Sequence, residues 1–104
     1  MTITCFIRYE IEPYATEEFA QYARNWGKVI PRCGADLTGY FAPHEGSATT
    51  AYGVYNIASL ADYEAYRGRL LADPLGQENY ALAKRGKFIR REDRIFLRRV
   101  DAGF

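Results

Sequence analysis

From Ile3 to Ile11 the odd positions Ile3, Cys5, Ile7, Tyr9 and Ile11 are apolar or aromatic, while Thr4, Arg8 and Glu10 interleave with Phe6. This period of two predicts a strand with one buried face, and Pro13 ends it. Thr16 is placed to cap a helix whose first turn carries Glu17 and Glu18, both favourable near the positive end of the helix dipole. Phe19, Tyr22, Ala23, Trp26 and Ile30 then recur at helical spacing as one apolar stripe, and Pro31 and Gly34 are the stop signals. Residues 37–41 read as a second strand and 49–57, rich in β-branched and aromatic residues, as a third, with APHEGSA between them. Ser59 and Asp62 have the spacing of a capping box. They open a helix through Leu60, Tyr63, Tyr66, Leu70 and Leu71. Asp73 caps a shorter helix with Pro74 at its first position and an end near Gly86, and residues 93–100 read as the last strand.

The order β-α-β-β-α-β, with one extra helix, is that of a ferredoxin-like α+β unit built on an antiparallel four-stranded sheet. Helices can cover only one face of such a sheet. The other is expected to carry Phe6, Arg8, Glu10, Tyr52, Val54, Phe96 and Arg98. That mixture is too apolar for water and too polar for a dry core, so it is expected to meet a second copy of itself.

Composition narrows the function classes. With 104 residues there is room for a single domain spanning 1–104 and a small core, to which a partner subunit would add burial. A net charge of +1 gives no reason to expect nucleic acid or an anionic membrane as a partner. Lys84, Arg85, Lys87, Arg90, Arg91, Arg94, Arg98 and Arg99 crowd the C-terminal quarter against Glu92 and Asp93 alone, which reads as a solvated basic face. Cys5 and Cys33 have neither CxxC spacing nor a histidine at metal-site distance, so buried free thiols are expected. No secretory n-region and no long apolar run is present, and a cytoplasmic location is the expectation.

VYNIASLADYEAYRGRLLADP at 54–74, GYF at 39–41 and IRREDRIFLRRV at 89–100 resemble the NIPSNAP family over nearly the whole chain. The resemblance implies a dimeric α/β barrel, two ferredoxin-like protomers pressed together by their open sheet faces. Neighbouring families of that architecture include small monooxygenases, haem-degrading enzymes and lactone isomerases, many of which hold a ligand between sheet and helices. Animal NIPSNAP proteins have been linked to vesicle traffic and mitochondrial quality control, which are roles of interaction.

Candidate chemistry is sparse. His44, the single histidine, lies in a turn-like stretch beside Glu45 and reads as an exposed loop residue. Gly46-Ser47 matches no phosphate loop or nucleophile elbow. The chain lacks the first-strand asparagine and helical histidine of the haem-degrading relatives, and one histidine with scattered carboxylates builds no metal site, so no cofactor is expected. What remains is a possible aromatic cleft between sheet and helices, lined by Tyr9, Tyr22, Trp26, Tyr55, Tyr63 and Tyr66. Hydroxyls converging there can orient a planar or carbonyl-bearing ligand, although such a stripe is more often ordinary core. Two functions stay open. One is a homodimeric interaction or scaffold module without chemistry. The other is a metal-free binding protein or enzyme, monooxygenase- or isomerase-like, for an aromatic or oxygenated metabolite.

Overall fold

The computed structural model describes residues 2–100. Its elements are β1 (Ile3–Ile11), α1 (Thr16–Arg32), β2 (Asp36–Phe41), β3 (Thr50–Ile57), α2 (Leu60–Ala72), α3 (Pro74–Gly86) and β4 (Ile89–Leu97). The strands form one sheet in the order β2-β3-β1-β4 with every neighbouring pair antiparallel, which is the ferredoxin-like arrangement. Among the described residues no helix is long and apolar enough to cross a membrane.

The alternation along β1 organises the core. Cys5, Ile7, Tyr9 and Ile11 are buried under the helices, with Ala51, Tyr55 and Ile57 of β3 beside them. The α1 stripe, Phe19, Tyr22, Trp26, Val29 and Ile30, closes over this surface. Thr16 is not the cap expected of it. It is the first residue inside α1, and Ala15 stands at the N-cap without a side-chain hydrogen bond. Pro31 falls inside the final turn, which ends one residue later at Arg32.

Helix α2 opens on the capping box: Ser59 Oγ accepts from the Asp62 N–H at 3.1 Å and donates to its carboxylate at 2.9 Å. Its buried face is narrower than the sequence suggests. Tyr66 and Leu70 are buried, but Leu60 and Leu71 face solvent. Asp73 caps α3, accepting from the N–H groups of Leu75 and Gly76, and Arg32 of α1 grips both its oxygens at 2.8 and 2.7 Å. Helix α3 lies close on its neighbours because Gly76 has no side chain: a Cβ there would meet the Leu70 carbonyl oxygen at 2.7 Å. Asn79, fully buried, is satisfied on both sides, donating to the Tyr22 carbonyl and accepting from Asn25 at 2.9 Å each.

Strand β4 requires the main correction. It begins at Ile89 instead of 93, and its pairing with β1 shifts register at Glu10/Ile11, leaving Arg90 as the extra residue of a bulge. Phe96 pairs with Cys5 and therefore sits under the helices, not on the open face. There its ring makes an edge contact with Tyr63 at 4.7 Å. The open face carries Ile95 opposite Phe6 and Leu97 opposite Thr4 instead. Phe6, Arg8, Glu10, Tyr52 and Val54 do share that face, and Arg98 lines a groove on it with Phe6 and Val54.

The Arg32–Asp73 pair makes a testable link between α1 and α3. The Arg32 hydrogen bonds hold the Asp73 carboxyl at about 2, below its ordinary value of 3.8, against a smaller opposing effect of desolvation. A depressed folded-state value means that the stabilisation is present above the ordinary carboxylate range and disappears as pH falls through about 2. Urea unfolding of wild type and Asp73→Asn should therefore differ near neutral pH and converge between about pH 4 and 2. A constant difference across that range would show that the carboxylate charge is not what couples the helices.

Candidate functional site

The sheet and the helices enclose a cavity lined by Tyr9, Tyr22, Trp26, Tyr55 and Tyr66, five of the six residues expected there. Tyr63 is not in the lining. It makes an edge contact with Phe96, and Arg67 Nη1 donates to its hydroxyl at 3.3 Å. Five aromatic or charged wall residues were not assigned to the cleft from the sequence: Tyr40, Arg67, Tyr80, Glu92 and Arg94. Tyr40 reaches the wall because its ring lies over Gly53 of β3, where a Cβ would come within 2.6 Å of the ring carbon Cε1. Tyr80 is delivered by α3, half-exposed, with its ring 5.0 Å from that of Trp26. Glu92 and Arg94 come from β4, opposite Tyr9 and Ile7, on the helix-facing side.

The enclosed space is small, about 30 Å³, enough for a species the size of water. Its rim toward solvent is formed by the accessible lining residues Arg67 of α2, Tyr80 of α3 and Glu92 and Arg94 of β4. Inside, the Tyr9 and Tyr40 hydroxyls stand 3.4 Å apart.

The electrostatics are one-sided. Burial raises the phenols: Tyr22 is pushed up to about 12, and Tyr9, Tyr40, Tyr55 and Tyr66 are also raised, in each case mainly by desolvation. All five are neutral at physiological pH and act as hydroxyl donors or acceptors, not as bases. Burial opposes the Arg94 cation, but its value is raised overall, and at neutral pH the adjacent Glu92 carboxylate is the charge that favours it. Its Nη2 lies 3.2 Å from Glu92 Oε2, while Nε is buried with no hydrogen-bond partner among the described residues. A buried guanidinium N–H without an acceptor costs about 1–3 kcal/mol, so it is a natural contact point for an incoming oxygen. Arg94 with a half-paired fork, Arg67 beside it, several neutral hydroxyls and a single carboxylate can bind an oxyanion and move one proton beside it.

Among the described residues no cluster of three or more histidine, cysteine, aspartate or glutamate side chains could hold a metal ion. Cys5 and Cys33 are free and buried, and burial raises both thiols.

The NIPSNAP family profile matches residues 4–102. The chain belongs to the NIPSNAP family. Among solved structures, a NIPSNAP family protein from Agrobacterium tumefaciens strain C58 is 25% identical with a TM-score of 0.79, over 96% of this chain and 87% of that one. A NIPSNAP-like domain protein from Burkholderia xenovorans is also 25% identical, with a TM-score of 0.76 over 99% of this chain and 87% of its own. SnoaB, a cofactor-independent oxygenase from Streptomyces nogalater, shares the fold at 12% identity and a TM-score of 0.68, over 98% and 96% of the two chains. No curated protein matches this chain. These NIPSNAP relatives support the fold expected from the sequence.

His44 is not in the cavity wall and lines a separate surface groove with Pro13, Tyr14 and Ser47. It is exposed, in the loop between β2 and β3, as expected from the sequence. Replacing it with alanine should shift stability by less than about 0.5 kcal/mol in urea unfolding. A loss of several kcal/mol would assign that loop a structural or functional role.

Proposed function

We propose that this NIPSNAP protein binds a small oxygenated aromatic molecule, a phenolic ketone or its enolate, in the tyrosine-walled cleft. The observation that carries this reading is Arg94: a charged guanidinium half-buried among aromatic rings, whose Nε has no partner and whose one ion pair is with Glu92 among the described residues. An apolar core does not hold such a group without cost, whereas an oxyanion site requires one. The flat aromatic walls suit a planar ligand, and the neutral phenols suit its carbonyl oxygen. If chemistry follows binding, Glu92 is the wall residue able to accept a proton from a carbon next to that carbonyl, while Arg94 stabilises the enolate formed. The cofactor-independent oxygenase that shares the fold is compatible with such a route, but the reading rests on the cleft. Since the enclosed space is about 30 Å³, the ligand enters by displacing the rim side chains Arg67 and Tyr80.

The interaction role expected from the sequence draws on the other face. Ile95, Phe41 and Tyr52 are 53%, 52% and 38% exposed, and they adjoin Phe6, Val54 and Leu97 around an open groove. Closing this face against a second copy would remove apolar area at about 25 cal/mol per Å². Arg8 and Glu10 lie opposite Asp93 and Arg91, so charges at the seam are already matched within each protomer.

Trp26 is the only tryptophan and lines the cleft, so its indole N–H gives one nuclear magnetic resonance signal that reports on it. Titration with 4-hydroxyacetophenone should shift that signal saturably. Arg94→Gln should weaken the binding at least about tenfold and Arg94→Lys less, with the spectra of both still dispersed. An indole signal that does not move at millimolar probe would overturn the cleft reading. For the open face, light scattering at low micromolar concentration should give twice the chain mass, and Ile95→Asp should halve it. A wild-type monomer would refute the pairing.

A further inference from the structure

The cleft does not end at its mouth. A shallower groove of about 370 Å³ continues outward from it, and the two share Tyr22, Tyr80 and Glu92 as common walls. Beyond those residues the groove is lined by Lys84 near the C-terminal end of α3 and by Arg90 and Arg91 of β4. Two cations, Lys84 and Arg90, thus stand against one carboxylate on its walls, since Arg91, opposite Glu10, belongs to the open face. The β4 bulge is what frees Arg90 for this groove, because it is the residue left without a partner on β1. Arg90 is held loosely by Glu12 at 3.5 Å and Arg91 by Asp93 at 2.8 Å, and neither of those carboxylates lines the groove.

We propose that the ligand has two parts: an oxygenated aromatic head in the cleft, and a carboxylate or phosphate tail a few bonds away that lies in the groove beside Lys84 and Arg90. This rests on the cleft reading above and adds the substrate class to it. A head of that kind is nearly featureless in shape, so the tail sets both affinity and direction of entry. The groove lies on the same side as the mouth, and its charge attracts the anionic end first and leaves the head facing inward. An arginine fork and a flexible lysine are suited to a carboxylate or a phosphate that remains partly in water.

Calorimetry with three probes tests this. 4-Hydroxyacetophenone presents the head alone, 4-(4-hydroxyphenyl)-4-oxobutanoate presents head and carboxylate together, and succinate presents acid alone. The tailed probe is expected to bind about five- to tenfold tighter than the head, and the advantage should shrink as salt rises from about 50 to 500 mM. In a Lys84→Gln/Arg90→Gln double variant the ratio of the two affinities should fall to about one. The phosphate counterpart of the tailed probe separates the two anion classes by which gains more. Equal affinity of head and tailed probe, or a gain that survives both salt and the double variant, overturns the tail subsite and leaves the cleft reading intact. Absence of binding by both aromatic probes overturns the two together, and succinate binding as tightly as the tailed probe shows an anion site unconnected to the cleft.

Discussion

Strand β1 lies between β3 and β4, so the phase of its alternation decides the face on which every neighbouring side chain falls. Cys5, Ile7, Tyr9 and Ile11 point to the helices, and the residues paired with them must do the same. That single constraint puts Tyr55 beside Cys5, Gly53 beside Ile7, and Glu92, Arg94 and Phe96 under the helices. It equally consigns Phe6, Val54, Ile95 and Leu97 to the open face. A slip of one residue in either pairing would exchange the two sets, bury Asp93 and expose Tyr55. The aromatic packing on α1 then serves to lock this phase: the Tyr9 ring meets Phe19 at 5.1 Å and Tyr22 at 6.1 Å, contacts available only from the helix side.

Within that frame, the polar content of the helix-facing side is the anomaly that points to a site. A face shared by Phe19, Trp26, Val29 and Ile30 could be filled entirely by apolar groups, and at most positions it is. Glu92 and Arg94 break the pattern at adjacent helix-facing positions of β4. Their mutual contact lowers the cost of bringing charge there, but leaves one guanidinium N–H without an acceptor among the described residues. The phenols around them stay neutral because burial raises them, so the pocket keeps its donors without adding anions that would neutralise the arginine.

Much of this was legible in the sequence, and the parts that were not have physical causes. Element order, both of the later helix caps and five of the six cleft aromatics followed from local patterns, since period and cap chemistry are local. Strand β4 was misread because Ile95 and Leu97 on one side and Phe96 on the other are equally apolar. No alternation test can choose a phase from that triplet, and the bulge at Arg90 removes the continuity with Ile89 that would have fixed it. Arg94 was therefore grouped with a solvated basic run. Composition assigns arginines to solvent, and only pairing with Ile7 shows that this one is turned inward. Tyr40 was hidden for another reason: its place over the sheet depends on Gly53 across the strand pair, a contact between residues 13 positions apart. Tyr63 was over-read, because helical spacing put it on the stripe but Phe96, once moved to that side, took its ring.

Strand β4 is also a sheet edge, and its two faces meet different demands. Its outward residues Arg91, Asp93, Ile95 and Leu97 belong to the surface proposed to meet a second copy, while Glu92 and Arg94 belong to the cleft. An edge strand held on one side only is the least constrained part of a sheet, and the charges along it discourage pairing with further strands. A guanidinium that must sit within hydrogen-bond reach of a ligand oxygen cannot tolerate a loose backbone. Packing Ile95 and Leu97 against a partner would clamp that edge from behind, so assembly and site precision would rest on the same nine residues, Ile89–Leu97. The open face and the cleft are then two consequences of one strand's alternation, and a change to the first would be felt in the second through the position of Arg94.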